Sequence, residues 1–298
     1  MPDPQVKPTI MVTGGKGLVG SKFIEMFSSK YSFVELDLSH PTSPVDITNE
    51  QQVSQLCNST KAQALVHFAA FTNVTEAWKQ NGDKNGSAYL VNVNGTRNIA
   101  RACTQSGIHL IHISTAYVFD GHKSGMYTEA DATSPIEWYG QTKAEAELVV
   151  QQLATDWSIL RIDQPFRFDS QARPDIVHKI ISGLKAGNLY PQFTDHYFGP
   201  TVIEDFARVI DLVIRRKLVG LFHATSGEKW SDFDFACAIE RHLNPNSRAV
   251  KPGSLDTYLK SLDRPYQRNT ALDCTKLKQE LDFSPLTIAQ ALAQVQVE

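Results

Sequence analysis

Along the first half of the chain, short apolar runs alternate with stretches in which apolar residues recur every three or four positions. The run Thr9-Ile10-Met11-Val12-Thr13 reads as a strand, and Phe23, Ile24 and Phe27 begin a helical pattern after it. Further strands are predicted at 33–37, 44–48, 64–70, 108–115 and 157–162. Residues 87–106 carry helical spacing through Leu90, Val93, Ile99 and Ala102 and stop before Gly107; residues 139–153 read as a second long helix. This alternation predicts βαβ units and an α/β fold, a Rossmann-type doubly wound parallel sheet. After about Arg161 the pattern changes: Pro165, Pro174, Pro191 and Pro200 punctuate longer loops, with helices expected at 174–187, 203–217, 231–243, 275–281 and 288–295. The expected organisation is a dinucleotide-binding domain over 1–162, taking in 203–217 as well, and a smaller substrate-binding lobe over 163–298 interleaved with it.

The junction between the first strand and helix carries the first chemical signal. Gly14, Gly17 and Gly20 stand at three-residue spacing in Gly14-Gly15-Lys16-Gly17-Leu18-Val19-Gly20. The first glycine suits a tight turn, the second a close approach of backbone to a pyrophosphate, the third close packing of helix on sheet. The pyrophosphate would sit on the free N–H groups at the helix start. Asp37 ends the second strand 23 residues after Gly14, near the spacing expected of a carboxylate on the adenine ribose. Asp46 and Ile47 could flank the adenine; Asp46 is equally a candidate cap or turn residue. A carboxylate at Asp37 repels a 2′-phosphate, whereas Lys16 tolerates one, so the expected cofactor is NAD(H) or NADP(H) with a slight preference for NAD(H).

A second signal is Tyr139-Gly140-Gln141-Thr142-Lys143. Residues four apart share a helical face, and an ammonium beside a phenol lowers its pKa, so the tyrosine could exchange a proton with a carbonyl oxygen. Ser114 and Thr115 stand where a strand leaves the sheet, and hydroxyls there could bind the same carbonyl. His109 and His112 in that strand read as packing or partly exposed residues.

Composition narrows the field. The 298 residues are 42% hydrophobic and 20% charged, with net charge −3, which gives no basic surface for nucleic acid. No apolar run approaches the ~20 residues of a membrane span. Residues 1–5 lack the features of a signal peptide. Cys57, Cys103, Cys237 and Cys274 are far apart in sequence and fit reduced thiols; the histidines show no metal spacing. Asn58, Asn73 and Asn94 head chance Asn-x-Ser/Thr triplets. A cytoplasmic protein without metal, membrane or nucleic-acid partner is expected.

Several segments together resemble the extended short-chain dehydrogenase/reductases, and more narrowly the dTDP-4-dehydrorhamnose reductase family. They are Phe68-Ala69-Ala70-Phe71-Thr72-Asn73-Val74, His112-Ile113-Ser114-Thr115-Ala116-Tyr117-Val118-Phe119-Asp120-Gly121, Tyr127-Thr128-Glu129-Ala130-Asp131, Tyr139-Gly140 with Lys143, and Arg264-Pro265-Tyr266-Gln267-Arg268-Asn269-Thr270-Ala271-Leu272-Asp273-Cys274. The resemblance implies reduction of the 4-keto group of a nucleotide-activated deoxysugar. It puts Thr115, Tyr139 and Lys143 in the catalytic roles: Tyr139 as proton donor, Thr115 polarising the oxygen, Lys143 on the nicotinamide ribose. It further implies Phe68, Ala69 and Ala70 at the cofactor, and Thr72, Ala116, Gln164, Arg264 and Arg268 at the substrate. Residues 163–201 and 264–270 are expected to line its pocket, with Arg264 or Arg268 on the diphosphate or in an internal ion pair with Asp263 or Asp273. A homodimer is a further expectation.

The chain departs from the family where the substrate should lie. Ala116 stands where an aspartate is usual, and Gln164 about where a tryptophan often is; residues 195–201 only partly echo the family segment. The family also includes the regulatory subunit of methionine adenosyltransferase, so a non-catalytic NAD(P)-binding regulator is the alternative, as is a nucleotide-sugar 4-epimerase.

Overall fold

A computed structural model describes residues 7–297. The signal-peptide expectation and the terminal residue of the predicted lobe lie outside the described residues.

The apolar runs form a six-stranded, all-parallel sheet in the order β10-β5-β4-β3-β1-β2. The strands are β1 (Thr9–Thr13), β2 (Ser32–Leu36), β3 (Ala64–His67), β4 (His109–Thr115), β5 (Trp157–Ile162) and β10 (Gly220–His223). Alternate strand residues enter two cores, as the period of two requires. Ile10, Val12, Ile111 and Ile113 pack under α1 (Leu18–Phe27), α8 (Ile203–Arg216) and α11 (Thr275–Leu281). Met11, Leu65, Leu110 and Ile159 pack with α2 (Glu50–Ser59), α5 (Thr96–Ser106) and α6 (Trp138–Leu153). Parallel order places the carboxyl ends of β1, β3, β4 and β5 along one edge, where ligands of open α/β sheets bind.

Two expectations about strands are corrected. Residues 44–48 form no strand. Pro44 lacks a donor, and the Asp46 carboxyl accepts from Thr48 N and Oγ1 at 2.8 Å each, a local turn that competes with a ladder. The segment leads instead into α2, capped by Asn49. The sheet gains β10, which follows α8 and pairs with β5. The predicted helix over 87–106 is also interrupted: α4 (Ser87–Tyr89) and α5 flank a π-helical turn over Leu90–Gly95.

The second lobe has its own core around Phe166, Ile180, Ile181, Phe198, Phe235, Ile239 and Ile288. It is built from two-residue strands β6 (Pro165–Phe166), β7 (Gln192–Phe193), β8 (Tyr197–Phe198), β9 (Thr201–Val202), β11 (Trp230–Ser231) and β12 (Pro252–Gly253). Helices α7 (Ile176–Lys185), α9 (Asp232–Leu243), α10 (Leu255–Leu259) and α12 (Ile288–Leu292) cover them, and α3 (Val74–Trp78) follows β3 in the first lobe. Cys57 and Cys103, remote in sequence, adjoin in the interior between α2 and α5; all four cysteines are free thiols. Among the described residues no helix is long and apolar enough to cross a membrane, and no group of His, Cys, Asp or Glu could hold a metal ion.

Candidate active site

The glycine turn is fixed by close approach. Gly14 has φ +65°, and a Cβ there would meet Ala69 N at 2.7 Å. A Cβ at Gly20 would stand 2.5 Å from Gly14 O. The N-cap of α1 is Gly17, which brings no side chain to satisfy the first-turn N–H groups of Leu18 and Val19. The cradle therefore suits a phosphate. Thr13 ties it to the 68–70 loop: Thr13 O accepts from Phe68 N at 3.1 Å, and Thr13 Oγ1 accepts from Ala69 N at 3.1 Å. Ala70 continues that loop.

Just past β2 the Asp37 carboxyl accepts from Ser39 N at 2.9 Å and Ser39 Oγ at 2.6 Å. Lys16 Nζ donates to Ser39 O. Ser39 thus links the glycine turn, through Lys16, to Asp37. Ile47 is buried, and it packs where a Cβ on Gly95 would fall, so it is a core residue. Asp46 serves its own turn.

Tyr139 and Lys143 are both buried in the first turns of α6. Burial raises the Tyr139 phenol above its ordinary value and outweighs the neighbouring Thr115 side chain, which favours the phenolate. Glu137 and Asp163 push the same way as burial. Lys143 Nζ donates to Ile113 O at 2.8 Å and to His112 Nε2 at 3.2 Å. Burial lowers it to about 8, with Glu147 opposing. The expected lowering of the Tyr139 pKa by Lys143 is therefore corrected: the ammonium is directed to the end of β4. The Ser114–Thr115 pair also divides, because neighbouring strand residues point to opposite faces. Ser114 Oγ donates to Glu147, which forms a buried ion pair with Arg161 at 2.6 Å.

Sequence reasoning missed four residues that shape this site. Glu137 caps α6, accepting from Tyr139 N at 2.8 Å and Gly140 N at 2.6 Å; burial lifts its carboxyl to about 7. Its place immediately before the helix was the available signal. Asp163, one residue past β5, is likewise raised to about 7 by burial. His112 lies fully buried beside His67, ring centroids 5.3 Å apart, and its Nδ1 has no hydrogen-bond partner. Burial, then the Lys143 charge, holds both imidazoles neutral, His67 down to about 3. Asn92, in the π-helical turn, binds Phe71 N at 2.8 Å and Thr142 Oγ1 at 2.9 Å, joining the loop after β3 to α6.

The expected substrate residues are only partly brought together. Ala116 is buried just past Thr115. Gln164 has φ +37°, rare for a side chain of its type. Arg264 lies over the Tyr266 ring at 4.9 Å and acts electrostatically on Glu137; its Nε and Gln267 Oε1 are buried and unpartnered. Arg268 is 42% exposed at its side chain and pairs with Asp256, neither of the acids expected from sequence. Thr72 is exposed in the loop before α3.

Comparisons with known proteins place the chain in a family. The family model described as "RmlD substrate binding domain" matches residues 8–298. A dTDP-4-dehydrorhamnose reductase of Aggregatibacter actinomycetemcomitans is 29% identical, covering 96% of this chain and 97% of that protein. Methionine adenosyltransferase 2 subunit beta of Rattus norvegicus is 27% identical over 90% of this chain and 81% of that protein. Among solved structures, the dTDP-4-dehydrorhamnose reductase of Bacillus anthracis in complex with NADP superposes with TM-score 0.87 at 26% identity, over 97% of this chain and 98% of that one. With its parallel sheet, glycine cradle and Thr115–Tyr139–Lys143 set, the chain belongs to the RmlD substrate-binding family.

Proposed function

We propose that this protein is an NAD(P)H-dependent reductase of a 4-keto nucleotide-activated deoxysugar, of the dTDP-4-dehydrorhamnose reductase kind. The observation that carries the reading is the buried Tyr139 side chain beside Thr115 at the carboxyl end of β4, with Lys143 one turn along the same helix. The cradle of β1 opens at the same edge of the sheet.

In this reading Gly14, Lys16, Gly17, Leu18, Val19 and Gly20 surround the pyrophosphate, and Asp37 binds the adenine ribose. Phe68, Ala69 and Ala70 wall the cleft, while Asp46 and Ile47 are committed to a turn and to the core. The nicotinamide supplies the hydride to the carbonyl carbon when bound. Tyr139, held protonated by burial, gives its proton to the carbonyl oxygen, and Thr115 steadies that oxygen by hydrogen bond. An ammonium has three donors, and the contacts with Ile113 and His112 leave Lys143 one for a ribose hydroxyl. Arg264, with its unpartnered Nε, suits the substrate diphosphate better than Arg268, which already has Asp256. Ala116 and Gln164 mark the sugar end, with Thr72 at its rim. NAD(H) is slightly preferred because Asp37 opposes a 2′-phosphate. A cytoplasmic homodimer is part of the proposal on the strength of the family resemblance.

The test is turnover of the purified chain on a panel of 4-keto nucleotide sugars with NADH and NADPH. Reduction of at least one sugar is expected, with the two cofactors bound within about tenfold of each other. Binding of both cofactors with no turnover on any sugar would favour the regulatory reading.

A further inference from the structure

Asp163 is a buried acid without an ion-pair partner among the described residues. Thr115 and Ile162 are register partners, so Asp163 stands one residue beyond the paired ends of β4 and β5, next to the Thr115–Tyr139 contact. Two segments of the second lobe, 199–201 and the one bearing Thr270, converge on it. Its Oδ2 accepts from Gly199 N at 3.0 Å and from Thr270 Oγ1 at 2.6 Å. Thr201 Oγ1 accepts from Asp163 N at 3.1 Å and donates to Asp163 O at 2.7 Å.

We propose that Asp163 is a positioning residue for proton transfer: its carboxyl anchors the second lobe at the end of β5, and its charge, when present, makes Tyr139 a more reluctant acid. This rests on the reading of Tyr139 as proton donor. In the reduction, hydride forms a C–H bond at the carbonyl carbon as the C=O π bond breaks. The Tyr139 O–H bond breaks, its proton passes to the substrate oxygen, and the electron pair stays on the phenolate. A carboxylate close by opposes that negative charge; a neutral carboxylic acid does not. The Asp163 carboxyl is lifted to about 7 by burial, so both forms are present near neutrality. The groups around it are Tyr139 from α6, Tyr117 from the 116–118 turn and His196 from the segment before β8. His196 favours the charged form. Glu137 and Arg264 act on Tyr117 as well, and Glu137 also acts on Tyr139.

The experiment is the pH profile of kcat/KM for the wild type, Asp163→Asn and Thr270→Val, on a sugar that the wild type reduces. The wild type should lose about tenfold in kcat/KM as pH rises from about 6 to about 8. Asp163→Asn keeps an acceptor for Gly199 and Thr270 and should flatten that limb, with any remainder due to Glu137, raised to about 7, and Lys143, lowered to about 8. Thr270→Val removes a hydrogen bond that favours the carboxylate, so its limb should move to higher pH by about one unit. This second variant carries the test if Asp163→Asn does not fold. An unchanged limb in the folded variants overturns the role of Asp163 while the reductase reading stands. No turnover by the wild type on any sugar overturns both.

Discussion

Tyr139 is held between opposing influences. Burial, Glu137 and Asp163 keep its proton on, and Thr115 favours its release. Lys143 acts elsewhere, on Ile113 O and His112. Lys143→Met should therefore weaken NADH binding as well as turnover, because one donor to the ribose is lost. A fall of about 10²-fold in kcat/KM is expected, with a measurable rise in the NADH dissociation constant by fluorescence titration. Unchanged cofactor affinity would remove Lys143 from the ribose. The Tyr139–Lys143 spacing and the glycine triplet were legible in the sequence because each is a local pattern on one element. Asp163 was not singled out: what makes it unusual is the convergence of Gly199, Thr201 and Thr270, far away along the chain. The direction of Lys143 was misjudged for the same reason, since His112 reaches it from another element.

At the scale of the element, α6 begins where Glu137 accepts from the N–H groups of Tyr139 and Gly140 in the first helical turn. These donors have no partner within the helix, so the cap fixes the turn that carries Tyr139. Glu137→Ala should cost about 1–2 kcal/mol in urea unfolding and lower turnover by displacing Tyr139. Wild-type stability in this variant would show that water replaces the cap. Long periodic elements such as α6, α8 and β4 could be read from sequence to within a residue or two. Short elements could not. Gly220-Leu221-Phe222-His223 is too brief for periodicity to mark it as a strand, and it joins the sheet only because α8 delivers it beside β5. Residues 44–48 offered two β-branched apolar residues, Val45 and Ile47, yet Asp46 spent its carboxyl on a turn. The π-helical turn is similarly invisible to a 3.6-residue pattern.

Across the whole molecule, the two lobes are joined close to both functional ends of the cleft. Arg167, after β6, donates to Ser21 Oγ on α1 at 2.8 Å and pairs with Asp169, which also binds Lys22 of α1 at 2.6 Å. The helix that follows the glycine turn is thereby tied to the second lobe, and Asp163 ties the same lobe to the end of β5. The doubly wound architecture was legible because alternating runs dictate it. The lobe's attachment was not, because it depends on the buried cations Lys22 and Arg167 pairing across more than a hundred residues of sequence. The central claim is that this assembly places one phenol to protonate a carbonyl during hydride transfer. Its most direct test compares Tyr139→Phe with the wild type in NAD(P)H-dependent reduction of a 4-keto nucleotide sugar, with cofactor affinity measured on the same samples. The account predicts unchanged cofactor affinity and a loss of turnover of about 10²–10⁴-fold. Full turnover in the folded Tyr139→Phe variant would contradict it.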